Sequence, residues 1–248
     1  MAAEAMQPIA VTGTAMLLFA AVFLAGGRVH PLRLFVRSNR SALSFGAGIS
    51  TAYVFVRVLP ELHGARNDIV EAVGAPLPFE GAIIYFVALV GFLAFYGLDH
   101  LSARLRNGDQ EGREKASYQL HLAGFAAYVA LLSYLLVRDA QETLTLTALY
   151  AITIAVHLLG VDHSLREEHG VAYVNSGRFV LAAAAVLGWG LGLLVALPPI
   201  VTASLVAIIS GAIIVNSAIM ELPPDKDGRF VPFLVGGMTY GVILMVMA

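Results

Sequence analysis

The sequence predicts an all-α integral membrane protein with eight transmembrane helices in a single polytopic domain over residues 1–248. Three observations predict it. Apolar blocks of about 20 residues, the length that crosses the hydrocarbon of a bilayer, recur from one end of the chain to the other. Hydrophobic residues make up 58% of the chain and charged residues only 13%, a balance foreign to soluble domains. The blocks are continuously apolar rather than alternating over ten residues, so helices and not barrel strands satisfy their backbone.

The first block, residues 8 to 27, follows MAAEAMQP, which has neither a basic n-region nor a small-residue cleavage site. An uncleaved first helix is expected. The basic stretch from Arg28 to Arg40 sets topology, and without interleaved aromatics it offers nothing to nucleic acid. The second block, residues 42 to 62, opens on Ser44, Gly46, Ala47 and Gly48, small residues that let membrane helices approach closely. It closes on Arg57, Pro60 and Glu61. Arg57 either snorkels to the outer interface or pairs with Glu61 at i,i+4, and Pro60 frees a carbonyl in the preceding turn. The third block, residues 79 to 103, brings Asp99 and His100 near its inner end.

The fourth block, residues 116 to 137, carries His121, Tyr128 and Ser133; the fifth, residues 144 to 168, places His157 in the middle of an apolar run. An ionisable group at that depth is by default a functional hypothesis. The structural alternative is a neutral imidazole hydrogen-bonded to a Thr, Ser or Tyr of a neighbouring helix. Because the two blocks run in opposite directions, Tyr128 comes to the depth of His157. His121 likewise comes to the depth of Asp162 and His163, which makes a second candidate cluster. Histidine with carboxylate suits zinc and other first-row divalent ions; the alternative is a set of solvated helix ends, with Asp162 and Arg166, and His163 and Glu167, as i,i+4 pairs.

The sixth block, residues 177 to 197, is glycine-rich around Trp189, and the seventh, residues 200 to 221, begins after Pro198 and Pro199. The seventh holds Asn216 and Ser217 in mid-span and Glu221 at its end; residues 230 to 247 form the eighth. With this layout twelve loop Lys and Arg fall on one side, and Arg66 and Arg138 on the other. The positive-inside rule then puts both termini outside, in a multi-pass protein of the cytoplasmic (inner) membrane.

The chain has no cysteine, so any metal would be held by His, Asp and Glu. A hydrolase using His157 as base would need a nucleophile or second base at the same depth, and none stands there. Neither enzymatic activity nor a resident cofactor is expected.

An internal repeat is visible. Gly48 precedes Pro60 by twelve residues and Gly211 precedes Pro223 by twelve, each proline close to a carboxylate, Glu61 or Glu221. The second and seventh helices run oppositely, so helices 1 to 3 and 6 to 8 read as inverted repeats around helices 4 and 5. Transporters with a site near the midplane share that arrangement.

At these same helices the chain resembles the Zrt/Irt-like (ZIP) family of divalent metal transporters. The family's second helix passes from a small, glycine-rich stretch to His-Leu-Leu-Pro-Glu; here Gly46 and Gly48 lead to Arg57, Val58, Leu59, Pro60 and Glu61. Its seventh helix is matched by Ser210, Gly211, Glu221 and Pro223, and its third by Gly91, Phe92 and Asp99. The resemblance implies a 3+2+3 helix plan and transport of a divalent metal ion such as zinc. On this reading the metal positions are His157, Asp162, His163, His121, Glu61, Glu221, Asn216 and Tyr128. The partners it implies are the lipid bilayer, the ion and, as candidate assembly, a homodimer.

The metal motifs depart from the family. Its helix 4 carries His-Asn-x-x-Asp-Gly, where Tyr128, Val129, Leu132 and Ser133 stand here; of its helix 5 motif, His-Glu-x-Pro-His-Glu, His157 and Asp162 remain. The alternative function is therefore a non-transporting protein on the same scaffold, a sensor or an assembly partner.

Overall fold

The computed structural model describes residues 2–26, 40–73, 81–106, 111–138, 144–217 and 229–247, and these are helical almost throughout. Nine α-helices are described: α1 (Ala2–Ala25), α2 (Arg40–Tyr53), α3 (Leu59–Val73), α4 (Ala82–Arg106), α5 (Glu111–Arg138), α6 (Leu144–Ala172), α7 (Arg178–Leu194), α8 (Pro199–Asn216) and α9 (Phe230–Met247). A π-helical turn, Val54–Val58, joins α2 to α3, and another, Tyr173–Gly177, leads into α7. The helices divide between two compact units, residues 1–27 with 95–197 and residues 28–94 with 198–248.

The first unit holds α1, the second half of α4, α5, α6 and α7. Its core is built from Phe19 and Phe23 of α1, Phe125 and Leu132 of α5, Ile154 and Leu158 of α6 and Leu181 of α7, all fully buried. Between α6 and α7 the chain folds back. Tyr173 Oη donates to Asp162 Oδ1 at 2.8 Å, whereas eleven residues of straight helix would hold them about 16 Å apart. The bend is made at Gly170, whose φ of 48° and ψ of −120° suit a residue without Cβ. As a result α6 runs alongside α1 in the same direction, tied by Arg166 Nη2 donating to the Phe23 carbonyl. α7 returns along α1, tied by Trp189 Nε1 donating to Thr12 Oγ1.

At the start of α5, Ser117 is hydrogen-bonded to Ser102 near the end of α4. At its far end Tyr134 Oη donates to the Val195 carbonyl at 3.1 Å and accepts from Leu197 N–H at 3.3 Å. Those bonds satisfy the backbone where α7 stops before Pro198 and Pro199. The ends of α1, α4 and α6 and the starts of α5 and α7 thus gather at one end of the unit.

The second unit holds α2, α3, the first half of α4, α8 and α9. Pro60 explains the π-helical turn: it has no N–H, and its ring crowds the carbonyl four residues back. The turn widens, and Leu59 N–H bonds instead to the Val54 carbonyl. Leu62, Ala65 and Ile69 of α3 pack with Ile84 and Ala88 of α4 and Ala203 and Ala207 of α8.

Two helix pairs in this unit make one and the same contact. A Cβ on Gly48 of α2 would strike the Phe233 carbonyl oxygen and the Gly237 nitrogen of α9, while one on Gly236 would strike the Phe45 carbonyl oxygen. A Cβ on Gly211 of α8 would strike the Ala88 carbonyl oxygen and the Phe92 nitrogen of α4, while one on Gly91 would strike the Ile208 carbonyl oxygen. In both pairs the offsets are three residues on one helix and three and four on the other. The α2–α9 pair is parallel, since Arg229 meets Ser41 and Ser44 where both begin and Gly241 lies against Ala52 and Val56 further on.

Outward faces are apolar. On α4 Phe86, Leu89, Val90 and Leu93 are exposed, and on α9 Phe230, Val231, Met238, Met245 and Val246. Side chains of this kind along whole helices need hydrocarbon as their solvent. Among the described residues four helical stretches, Ala82–Arg106, Gly112–Arg138, Tyr150–Leu194 and Pro199–Asn216, are long and apolar enough to cross a membrane, and Ile9–Ala25 and Phe230–Val246 are shorter apolar helices. The 45 residues of Tyr150–Leu194 would as one rod reach about 68 Å, more than twice the hydrocarbon thickness, and the reversal at Gly170 divides them. The chain is an all-α, multi-pass membrane protein.

Candidate functional site

Among the buried polar side chains of the first unit, His157, Asp162 and His121 each centre a group along α5 and α6. The innermost is Tyr128 and His157. Tyr128 Oη lies 2.7 Å from His157 Nε2, and both residues are buried. Which atom donates depends on the imidazole tautomer. Phe95 and Phe125 stand edge-on to Tyr128, with ring centroids 5.3 Å and 6.3 Å away. An aromatic wall of this kind excludes water and strengthens a polar contact inside it.

Asp162 forms the second group, and its oxygens are occupied. Arg166 donates to it twice, Nε to Oδ2 at 2.7 Å and Nη2 to Oδ1 at 3.0 Å, and Tyr173 Oη donates to Oδ1. The Arg166 guanidinium also lies 5.3 Å from the Tyr173 ring centroid. The pair is buried, at 7% exposure for Arg166 and 3% for Asp162, rather than solvated at a helix end. His163 points elsewhere: its side chain is 41% exposed and lies 3.7 Å from Glu167.

The third group gathers around His121. Depth alone predicts that His121 meets Asp162 and His163; the structure gives it Glu168 and His169 instead, with His121 Nδ1 3.1 Å from Glu168 Oε2 and 3.1 Å from His169 Nε2. Angular position explains the difference. Glu168 follows His157 by eleven residues and so lies about 20° from it around the helix, whereas Asp162 and His163 are turned away by about 120° to 140°. His121 and Tyr128, seven residues apart, also share a face of α5. Side chains lean toward the N-terminus of their helix, so on antiparallel helices His121 leans toward Glu168 and Glu168 leans back toward His121. The 3.6-residue period could have found Glu168 in the sequence.

Other residues surround this group. Asp99 Oδ1 of α4 is 3.6 Å from His121 Nε2, and Arg106 Nη1 is 3.3 Å from Glu168 Oε2. Tyr118 stands edge-on to His169, with centroids 5.3 Å apart. His121, Glu168 and His169 can each turn one ligand atom to a common point, all three atoms lying within 4.8 Å of one another.

No family model matches this chain, and no curated protein does either.

The remaining sequence candidates belong to the second unit. Glu61 is paired with Arg57 across 3.8 Å on the π-helical turn. Asn216 is buried near the end of α8, its amide nitrogen without a hydrogen-bond partner among the described residues. Glu221 and Pro223 lie outside the described residues.

Proposed function

We propose that the chain transports divalent metal ions on a Zrt/Irt-like plan: eight spans arranged 3+2+3 in the cytoplasmic membrane, with both termini outside. The observation that supports this reading best is the duplicated contact of the second unit. The pair of α2 with α9 and the pair of α8 with α4 repeat the same glycine register, as inverted repeats of helices 1 to 3 and 6 to 8 require. A repeat of that type is an architecture of transporters, with the site near the midplane. The first unit supports it with buried histidine on α5 and α6, the helices that carry the family's metal ligands. In this reading Tyr128 and His157 line the path and the histidine–carboxylate group around His121 receives the ion.

A second reading, a scaffold that senses or assembles without transporting, is favoured by Asp162. Its charge is already neutralised by Arg166 and both of its oxygens already accept hydrogen bonds. A dehydrated divalent ion needs anionic ligands to offset its desolvation, and the partner that His157 meets at 2.7 Å is a neutral phenol.

Uptake into proteoliposomes across a panel of divalent ions separates the two. Transport predicts saturable uptake of at least one first-row ion, lost in His157→Ala while the variant keeps its gel-filtration profile in detergent. A chain that passes none of the ions, or a His157→Ala variant with full uptake, removes the path proposed through Tyr128 and His157.

A further inference from the structure

The group around His121 has a geometry that hydrogen bonding leaves incomplete. His121 is only 1% exposed. In neutral imidazole one nitrogen carries the proton and the other accepts. Nδ1 has two partners at 3.1 Å, but Nε2 is buried without a hydrogen-bond partner among the described residues. Its neighbour is Asp99 Oδ1 at 3.6 Å, beyond hydrogen-bond length. A proton on Nδ1 leaves Nε2 as a lone pair turned toward a carboxylate. A proton on Nε2 leaves the Nδ1 lone pair facing the Glu168 carboxylate. Each neutral tautomer carries a repulsion, which either a second proton on the ring or a cation at Nδ1 removes.

The three atoms around that point have the dimensions of a metal site. His121 Nδ1 is 3.1 Å from both other atoms, and His169 Nε2 is 3.9 Å from Glu168 Oε2. A tetrahedral ion with bonds of about 2.0 to 2.1 Å keeps its ligand atoms about 3.3 Å apart. The point equidistant from the three corners lies about 2.0 Å from each, the length of a zinc–imidazole bond. With an ion on Nδ1, the proton of His121 resides on Nε2 and faces Asp99. Metal-bound histidines usually turn their second nitrogen toward a carboxylate in this way.

We propose that His121, Glu168 and His169 bind a first-row divalent ion of the zinc class, with Asp99 as a positioning residue that orients His121. The fourth position is left to water, which reaches the group past the partly exposed Glu168 and Asp99. Arg106 is the competing cation; it is 38% exposed and can swing into solvent when an ion takes Glu168. All of these residues belong to one unit, so the site holds whether or not the chain transports ions.

The test uses the full chain in detergent, stripped with a chelator and titrated with cobalt(II), whose visible absorption reports coordination. The expected result is one cobalt per chain with a four-coordinate nitrogen–oxygen spectrum, displaced by zinc. His169→Ala and Glu168→Gln should each weaken affinity by at least about tenfold, and Asp99→Ala by about tenfold with an altered spectrum that Asp99→Glu restores. His63→Ala, on the second unit, should bind as the native chain does. If His169→Ala does not fold, the isosteric Glu168→Gln carries the test. A native chain that takes up no cobalt, or variants that bind it as tightly as the native chain, overturns the site. Cobalt bound as expected by a chain inert in proteoliposomes upholds the site and overturns transport. Uptake by a chain that binds cobalt equally in His169→Ala does the reverse.

Discussion

Among single residues Asp162 and Arg166 make the sharpest case for context over identity. The sequence shows their i,i+4 spacing, and the structure has that pair. Burial changes what the pair is worth. On a wet helix end it would contribute about 0.3 to 0.5 kcal/mol; sealed between α1, α6 and Tyr173, neither charge can be left alone. Asp162→Asn strands the guanidinium, so a loss of about 3 to 5 kcal/mol is expected, read as a lowered unfolding temperature in detergent. The double variant Asp162→Asn with Arg166→Met removes the stranded charge and should recover most of it. Equal destabilisation by the single and double variants would show that the charges are not coupled. What could not be read from the sequence was that Tyr173, beyond a chain reversal, would return to close over this pair.

Elements were legible where one physical signal controls them. The small residues of α2 announce close packing, and Pro60 announces disturbed backbone, which the structure has as the turn Val54–Val58. The antiparallel course of α5 and α6 brings Tyr128 to His157 by depth alone. Depth fails for His121 because rotation about the helix axis decides which neighbours at that level face it. Gly170 is the least visible element boundary: it lies in EEHGVAY, with no proline to announce a stop, yet the whole return of α7 turns on it. A Cβ there would meet nothing within 4 Å, so the obstacle to substitution is its φ of 48° alone. Gly170→Ala should therefore cost about 1 to 3 kcal/mol without changing the packing of α6 on α1. Thermal unfolding in detergent measures it. A variant as stable as the native chain would mean that the turn relaxes to another backbone conformation, and the bend would then owe its place to the contacts of Tyr173.

For the whole molecule the controlling quantity is the placement of charge. In the first unit the ends of α4 and α6 and the starts of α5 and α7 meet at one end, and Arg104, Arg106, Arg113, Lys115, Arg166 and Arg178 fall there. Arg138 closes α5 at the opposite end. In the second unit Arg40 and Arg229 stand where α2 and α9 begin together, and Arg66 lies toward the other end, on α3. Within each unit, packing and charge thus sort the same residues the same way. Under the orientation proposed above, the positive-inside rule has the arginine-rich ends facing the cytoplasm. Because the chain contains no cysteine, a single introduced cysteine reports its own side without background. Asn67→Cys should react with a membrane-impermeant maleimide on intact cells, and Arg113→Cys only after permeabilisation. If Arg113→Cys reacts from outside while Asn67→Cys is protected, the protein is inverted, and charge does not orient it. If both react from outside, α4 does not cross the bilayer; the eight-span plan falls, and the inverted repeat falls with it.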